Sequence, residues 1–511
     1  MPKIRWSERT WGWIGPIAVA LLAFAVRVWN VGRPRILMFD ETYYAKDSWS
    51  LLKHGYVQDF VEKANGNIEK GDLTGLFTGQ PSWIVHPDGG KWVIALGEYV
   101  FGLDSFGWRI SAVVVGTLTV LVLARLVRRM TGSTVIGCFA GLLLTFDGMH
   151  FVMSRLALLD VFLTFWLVCG VGCLVADRDW LHDRLDRYQF VRPWQLLAGF
   201  CFGMACSTKW SGVYVLAVFA LLAVIWEVLA RRRAPVEQAG PRHGWVRTTL
   251  VVGLPAFASI VLVAALVYLA TWTGFLLHHD LYEARFGRGY GDYSAPWGAY
   301  VDKPTTGFLG ETRDAFRSLW HFHVMTYDFH TKDLNSAKHP YQSNPLGWLV
   351  QERPVGVDAQ FDKPAASCGA PETSSCIREV LILGNPILWW TGALALVAAV
   401  IAWIPSRDWR WGIAVLGVLA SWLPWFRFDD RPIFSFYAVT MIPFTIIAIS
   451  LVVNSVARSA VTPRQRYAVW LVAGGFLTAV IGTFCYFHPI YTDALIPYDT
   501  WHDKMWFKRW I

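Results

Sequence analysis

Residues 11–47 read WGWIGPIAVALLAFAVRVWNVGRPRILMFDETYYAKD. The first part, Trp11–Asn30, is apolar apart from Arg27 and the terminal Asn30, and about 20 such residues are what a helix needs to cross a bilayer. About ten residues later two adjacent carboxylates, Asp40 and Glu41, stand among Phe39, Tyr43 and Tyr44. Lys3, Arg5 and Arg9 precede the apolar run and no small-residue cleavage site follows it, so the run reads as a retained anchor. An anchor followed at once by acidic and aromatic residues predicts a membrane protein with polar chemistry at one water interface.

The rest of the chain fits that reading. Of 511 residues 54% are hydrophobic and 16% charged, the mean hydropathy is +0.36, and soluble domains carry roughly 25% charged residues. The net charge of +8 falls in short clusters between apolar runs, the distribution that orients membrane proteins rather than one that binds nucleic acid. Apolar runs near 11–30, 108–129, 133–149, 157–176, 194–211, 212–230, 248–275, 384–404, 411–426, 434–453 and 467–487 predict an all-α polytopic protein with about 11 spans. Basic residues crowd alternate connections: Arg125, Arg128 and Arg129; Arg178, Arg184, Arg187 and Arg192; Arg231, Arg232, Arg233, Arg242 and Arg247; Arg407 and Arg410; Arg458, Arg464 and Arg466. The expected topology therefore has a cytoplasmic N-terminus and an extracytoplasmic C-terminus. Two long outer loops, 31–107 and 276–383, are expected to be ordered and to carry amphipathic helices. The expected organisation is 1–275 as an N-terminal transmembrane catalytic module, 276–383 as an acceptor-side loop, and 384–511 as a C-terminal transmembrane module with an outer tail.

On that topology the polar motifs share the outer side. Asp40 and Glu41 read either as a helix start, with Asp40 as cap, or as a reactive carboxylate pair. VHPDGGK (85–91) makes a tight turn ending in Lys91, whose ammonium suits a phosphate; His86 lies in the same turn. Arg109 opens the second span and reads as a headgroup anchor or a phosphate contact. SRLALLD (154–160) brings Arg155 and Asp160. An uncompensated Asp at a helix centre costs about 2.5–3.5 kcal/mol on insertion scales, so Asp160 is expected to pair with Arg155 or Lys209. Lys209 in STKW and Arg431 in RPIFSFY add further outer cations. A carboxylate pair, several cations and many rings suit a lipid-linked anionic sugar donor: the tail between helices, cations on the phosphate, rings on the sugar.

These motifs resemble those of the protein O-mannosyltransferases, glycosyltransferase family 39 of the GT-C superfamily. The resemblance rests on FDETYYAKD, on VHPDGGK beside the family's His-Pro-Pro-Leu-Gly-Lys turn, on SRLALLD and STKWSGVY, on HPYQSNPLGW (339–348), and on RPIFSFY. It implies a GT-C-type fold and an inverting transfer of mannose from polyprenyl-phosphate-mannose to Ser or Thr hydroxyls of polypeptides emerging from the Sec translocon. It also implies catalytic roles for Asp40, as general base, and Glu41, assisting it or contacting acceptor, with Lys91, Arg109 and Lys209 near the donor phosphate; Arg431 joins these donor-side candidates by its place among the outer cations. His86, Arg155 and Asp160 are assigned supporting or structural places. Asp88-Gly89 stands where the family has Pro-Leu. The loop 276–383 is short for the β-trefoil domain of eukaryotic members, which points to a bacterial, actinobacterial-type protein of the cell membrane with its site on the extracytoplasmic face.

Two rival readings remain at this level: a GT-C transferase with a glycan or lipid acceptor, and a polytopic lipid or solute transporter. A transporter would carry ionisable groups near mid-membrane and internal symmetry. A divalent cation is left open, since Asp40, Glu41 and outer histidines offer ligands without compact spacing. Cys368 and Cys376 share one hydrophilic loop and could pair in an oxidising compartment.

Overall fold

The computed structural model describes residues 8–235, 244–289 and 296–511. Lys3, Arg5 and Arg242 lie outside them. Helix α1 (Glu8–Val28) leads into α2 (Glu41–His54), strand β1 (Gln58–Phe60), α3 (Ala64–Glu69), β2 (Phe77–Pro81) and α4 (Gly89–Phe101). Then α5 (Ser105–Thr131), α6 (Thr134–Thr145), α7 (Gly148–Met153), α8 (Leu159–His182), α9 (Pro193–Thr208) and α10 (Gly212–Arg233) follow. Among the described residues eight helices are long and apolar enough to cross a membrane. They are Thr10–Val28, α5, α8, α10, Trp245–Thr271, Pro386–Ser406, Ile442–Ser459 and Pro463–Tyr491. Three other expected spans form shorter helices: α6 with 12 residues, α9 with 16 and Trp409–Trp422 with 14. Trp409–Trp422 gives way to a 3-10 turn at Leu423-Pro424, and polar residues shorten the other two. Asp147 breaks off α6 and accepts the His150 N–H to start α7, and α9 stops at Lys209, which is extended.

Helix α8 is the most enclosed of the eight and Pro463–Tyr491 the least. α8 packs on α9, α5 and α10, so the central layer is made by the motif-bearing segments of the N-terminal half. Asp104 starts α5 by accepting the Phe106 and Gly107 N–H groups at 3.0 and 2.7 Å.

The connections read as basic converge on one end of the bundle. Arg129 Nε meets Asp179 at 2.8 Å, Arg231 donates to Leu185 O at 2.8 Å and Arg458 donates to Thr131 O at 2.7 Å. Just below that end Arg192 is buried between Asp177 and Glu227, and Glu227 also accepts from Arg231.

The opposite end departs from an all-α expectation. The first long loop carries α2, α3 and α4, but also an antiparallel β1–β2 pair with Gln58 opposite Pro81 and Phe60 opposite Phe77. The second carries helices His279–Phe286 and Phe308–Thr331 together with β3 (Val355–Lys363) and β4 (Cys376–Ile382). These two join β5 (Ile496–Pro497) in an antiparallel sheet of order β3-β4-β5, so the C-terminal tail is stitched to the loop. Cys368 and Cys376 form a disulfide within the β3–β4 hairpin.

Candidate active site

Asp40 occupies the N-cap position of α2, yet its side chain makes no cap bond. The carboxylate instead accepts from Tyr44 Oη at 3.5 Å. Phe39 before it has φ +50°, a left-handed conformation that side-chain-bearing residues rarely adopt and that strains the backbone. The Phe39 ring is held edge-on by Phe434 and Phe436, each at 5.9 Å, and by His339 at 6.3 Å. RPIFSFY and HPYQ therefore fix the turn that presents Asp40.

Glu41 anchors that turn from below. It is fully buried and forms a two-pronged pair with Arg109, Nε to Oε1 at 2.8 Å and Nη2 to Oε2 at 2.7 Å. Its oxygens also accept the N–H of Met38 and of Ala157, both at 3.0 Å. Arg109 spends its remaining donors on the carbonyls of Val31, Pro34 and Ile36. Neither residue has a group left for substrate. The structure thus places Glu41 and Arg109, expected at the acceptor or proton transfer and at the phosphate, in a tie that joins α2, the loop 31–37 and Ala157 to α5. Removing one member of a buried pair costs about 3–5 kcal/mol. Glu41→Gln and Arg109→Met are therefore expected to lower the unfolding temperature of the detergent-solubilised protein sharply. An unchanged unfolding temperature with lost transfer would instead place Glu41 at the substrate.

Lys91, expected near the phosphate, is likewise placed among carboxylates. It is 1% exposed and its ammonium lies 3.0 Å from Asp88 and 3.1 Å from Asp47. Burial alone would lower its pKa, but those two carboxylates raise it. Asp88, the departure from the family turn, thus consumes the charge that the turn was expected to offer a phosphate. The paired glycines serve packing. A Cβ on Gly89 would lie 2.6 Å from Ser207 Cβ, and one on Gly90 would lie 2.8 Å from Leu159 Cδ2 and 2.9 Å from Thr208 Cγ2. Only glycine lets α4 sit this close to the end of α9.

That contact positions Lys209. The chain leaves α9 at Thr208, runs extended through Lys209 and resumes as α10 at Gly212. Lys209 Nζ meets Asp160 Oδ2 at 2.8 Å and lies 4.9 Å from the centre of the Tyr437 ring. Of the two partners expected for Asp160, Lys209 is the one it takes. Arg155 instead donates to the carbonyls of Arg27 and Trp29, both at 2.7 Å, closing the C-terminal end of α1.

Beside Lys209 opens a cavity of about 700 Å³. Its walls are apolar, from residues such as Val213, Leu216, Val261 and Ala264, while Lys209, Arg431, His86, His330 and Tyr437 gather as its polar lining. Arg431 donates through Nη1 to His330 Nδ1 at 2.9 Å and to His330 O at 3.1 Å, and its buried Nε has no hydrogen-bond partner among the described residues. His86 stacks on His330 at 5.3 Å and packs against Tyr44 at 6.2 Å, which links the cavity to Asp40. Sequence reading missed His330. Its signal was helical spacing, since Tyr327, His330 and Thr331 stand at i, i+3 and i+4 and all three line the cavity.

Burial pushes the Asp40 pKa up to about 6; Asp160 adds to the rise, while Lys209 and the Tyr44 hydrogen bond oppose it. His86 is held well below its ordinary pKa by burial and then by the cations around it, Lys209 foremost, with Lys91 and Arg431. Burial, with Arg431 and Lys209, takes His330 to about 4. Both rings are therefore neutral at pH 7. Among the described residues no group of three or more His, Cys, Asp or Glu is placed to hold a metal ion.

A cavity with a greasy wall, a cationic end and a carboxylate near pH 6 beside it can seat a lipid phosphate and take a proton from an incoming hydroxyl. A family model described as Dolichyl-phosphate-mannose-protein mannosyltransferase matches residues 17–275, which carry Asp40, Asp160 and Lys209. A polyprenol-phosphate-mannose–protein mannosyltransferase of Mycobacterium tuberculosis is 34% identical over 526 residues, covering 98% of this chain and 92% of its own. The chain belongs to this mannosyltransferase family. A second family model, the C-terminal four-transmembrane region of protein O-mannosyltransferase, matches residues 315–510, including Arg431. Within the same family, a Corynebacterium glutamicum relative bearing the same name as the mycobacterial one is 28% identical, with 100% of this chain and 95% of that protein covered. Among solved structures, the Saccharomyces cerevisiae protein O-mannosyltransferase Pmt1–Pmt2 complex bound to the sugar donor matches with a TM-score of 0.71 at 13% identity. That match covers 98% of this chain and 92% of the other. At that identity it speaks for the fold, which mannosyltransferase family membership and the helical architecture share.

Proposed function

We propose that the protein transfers mannose from polyprenyl-phosphate-mannose to Ser and Thr hydroxyls of polypeptides. The tail lies along the apolar cavity and the phosphate meets Lys209 and Arg431. The acceptor oxygen attacks the anomeric carbon on the face opposite the phosphate, Asp40 takes the hydroxyl proton, and the carbon–oxygen bond to phosphate breaks. Polyprenyl phosphate leaves with its charge held by the two cations. The reading is carried by the Asp40 carboxylate, which makes no cap bond and forms no ion pair among the described residues, beside the Lys209–Asp160 pair.

The finer placement follows from charge. With the converged arginines on the cytoplasmic side, Asp40 and the cavity's cations face the extracytoplasmic side of the cell membrane, the N-terminus is inside, the C-terminus is outside, and α6, α9 and Trp409–Trp422 complete about 11 spans. The division 1–275, 276–383 and 384–511 then separates a donor-binding half, an acceptor-side loop and a C-terminal module, and nascent chains leaving the Sec translocon would reach Asp40 from the same side.

Membranes containing the protein, incubated with labelled polyprenyl-phosphate-mannose and a Ser/Thr-rich peptide, are expected to place label on the peptide. Label only on glycan or lipid, or none transferred, overturns the proposal. Because Asp40 acts as carboxylate, kcat/KM is expected to fall as pH drops through about 6, its pKa in this site. Below that value the group is protonated and cannot accept a proton. A pH series with the peptide assay checks this, and a rate flat from pH 5 to pH 8 would remove Asp40 from the role.

A further inference from the structure

A second cavity, of about 840 Å³, lies at the other end of the bundle. α8 runs from Asp160, paired with Lys209, at one end to His182 on the second cavity at the other, so by helix rise the cation of the first cavity and the far rim of the second lie roughly 33 Å apart. The wall of the second cavity is apolar, with Leu174, Leu181, Leu222, Trp226 and Trp403 along its length. Four arginines line it, Arg178, Arg192, Arg233 and Arg407, against two carboxylates, Asp177 and Glu227. Both carboxylates are already neutralised: Arg192 pairs with each of them, and Arg231 Nε donates to Glu227 at 2.9 Å. Arg178 Cζ lies 4.3 Å from the centre of the Trp409 ring, and its Nη1 reaches the neighbouring Asp179 at 3.4 Å, leaving Nη2 and Nε toward the cavity's rim. The exposed side chains of Arg233 and Arg407 make no hydrogen bond or ion pair among the described residues. Three helices end here, α8, α10 and Pro386–Ser406, and basic residues at helix C-termini offset the dipole. That effect accounts for arginines on the rim but not for a deep apolar cavity behind them.

We propose that this cavity binds an anionic phospholipid, with the headgroup phosphate on Arg178, Arg233 and Arg407 and an acyl chain along the leucine and tryptophan wall. The site is separate from that of the mannose donor. A basic pocket between helices, open toward the membrane surface, is the arrangement that recognises anionic headgroups, and a zwitterionic lipid would gain little from it.

The test uses the full-length protein in phosphatidylcholine nanodiscs doped with a phosphatidylglycerol carrying a photoreactive acyl chain. After illumination, label is expected on peptides from 174–185, 222–235 and 403–412. It should fall on adding unlabelled phosphatidylglycerol and persist with extra phosphatidylcholine or with millimolar inorganic phosphate. Displacement by inorganic phosphate would overturn the lipid assignment in favour of a soluble phosphate site. Equal competition by phosphatidylcholine would overturn the charge recognition. In the double variant Arg233→Gln/Arg407→Gln labelling should fall roughly 25-fold, a factor of about five for each charge removed. Arg233→Lys/Arg407→Lys should retain most of it. Labelling unchanged in the Gln variant, or lost equally in the Lys variant, overturns the proposal; the wild-type competition series decides it without any variant.

Discussion

Asp40→Asn is expected to lower the turnover number for mannose transfer by about a thousandfold, within the range of roughly 10²–10⁴ for losing a general base. The amide keeps the size of the carboxylate and can still accept from Tyr44 Oη, so the turn held by Phe39 and Glu41 persists. It cannot take up the acceptor proton. The KM for the donor should change little, because the proposed phosphate contacts are Lys209 and Arg431. Steady-state transfer from labelled donor to peptide separates the two quantities. A large rise in donor KM with turnover intact would move Asp40 from proton transfer to sugar binding.

The second large effect belongs to Lys209. Lys209→Met removes the cation paired with Asp160 at 2.8 Å and, with it, the proposed stabilisation of the departing phosphate. Losing one such electrostatic contact costs about 10²–10³ in rate. The substitution also strands Asp160, which is 3% exposed, and an orphaned buried charge costs about 3–5 kcal/mol. Lys209→Met/Asp160→Asn distinguishes the two losses. The double variant is expected to recover much of the unfolding temperature while transfer stays depressed. If transfer returned with stability, Lys209 would be a structural partner of Asp160 and the phosphate would sit elsewhere.

Helix existence was legible because long apolar runs carry their own evidence. The runs 11–30, 108–129 and 157–176 match helices closely, whereas α6, α9 and Trp409–Trp422 end early at Asp147, Lys209 and Leu423, where hydropathy stays high but the backbone turns. The sheets escaped for another reason. β1 has three residues and β5 two, too short for alternation to register, and β3–β4 is stabilised by partners far away in sequence.

The site was legible as a cast of residues but not as pairings. Sequence placed Asp40, Lys91, Arg109, Lys209 and Arg431 on one side, and nothing local could say which cations already had carboxylates. Glu41 takes Arg109, Asp47 and Asp88 take Lys91, and Asp160 takes Lys209. Only the last of these pairs borders the apolar cavity, and Arg431 joins it through a helix about a hundred residues earlier in the chain. Asp88 was visible as a departure from the family turn; its consequence, a buried triad around Lys91, required the fold.

A structure of the protein bound to polyprenyl-phosphate-mannose tests the central claim most directly. The account predicts phosphate oxygens at hydrogen-bond distance, about 3 Å, from Lys209 Nζ and the Arg431 guanidinium, with the tail in the cavity and the sugar between Lys209 and Asp40. Phosphate seated at Lys91 or Arg109, with either of those residues released from its carboxylates, would contradict it.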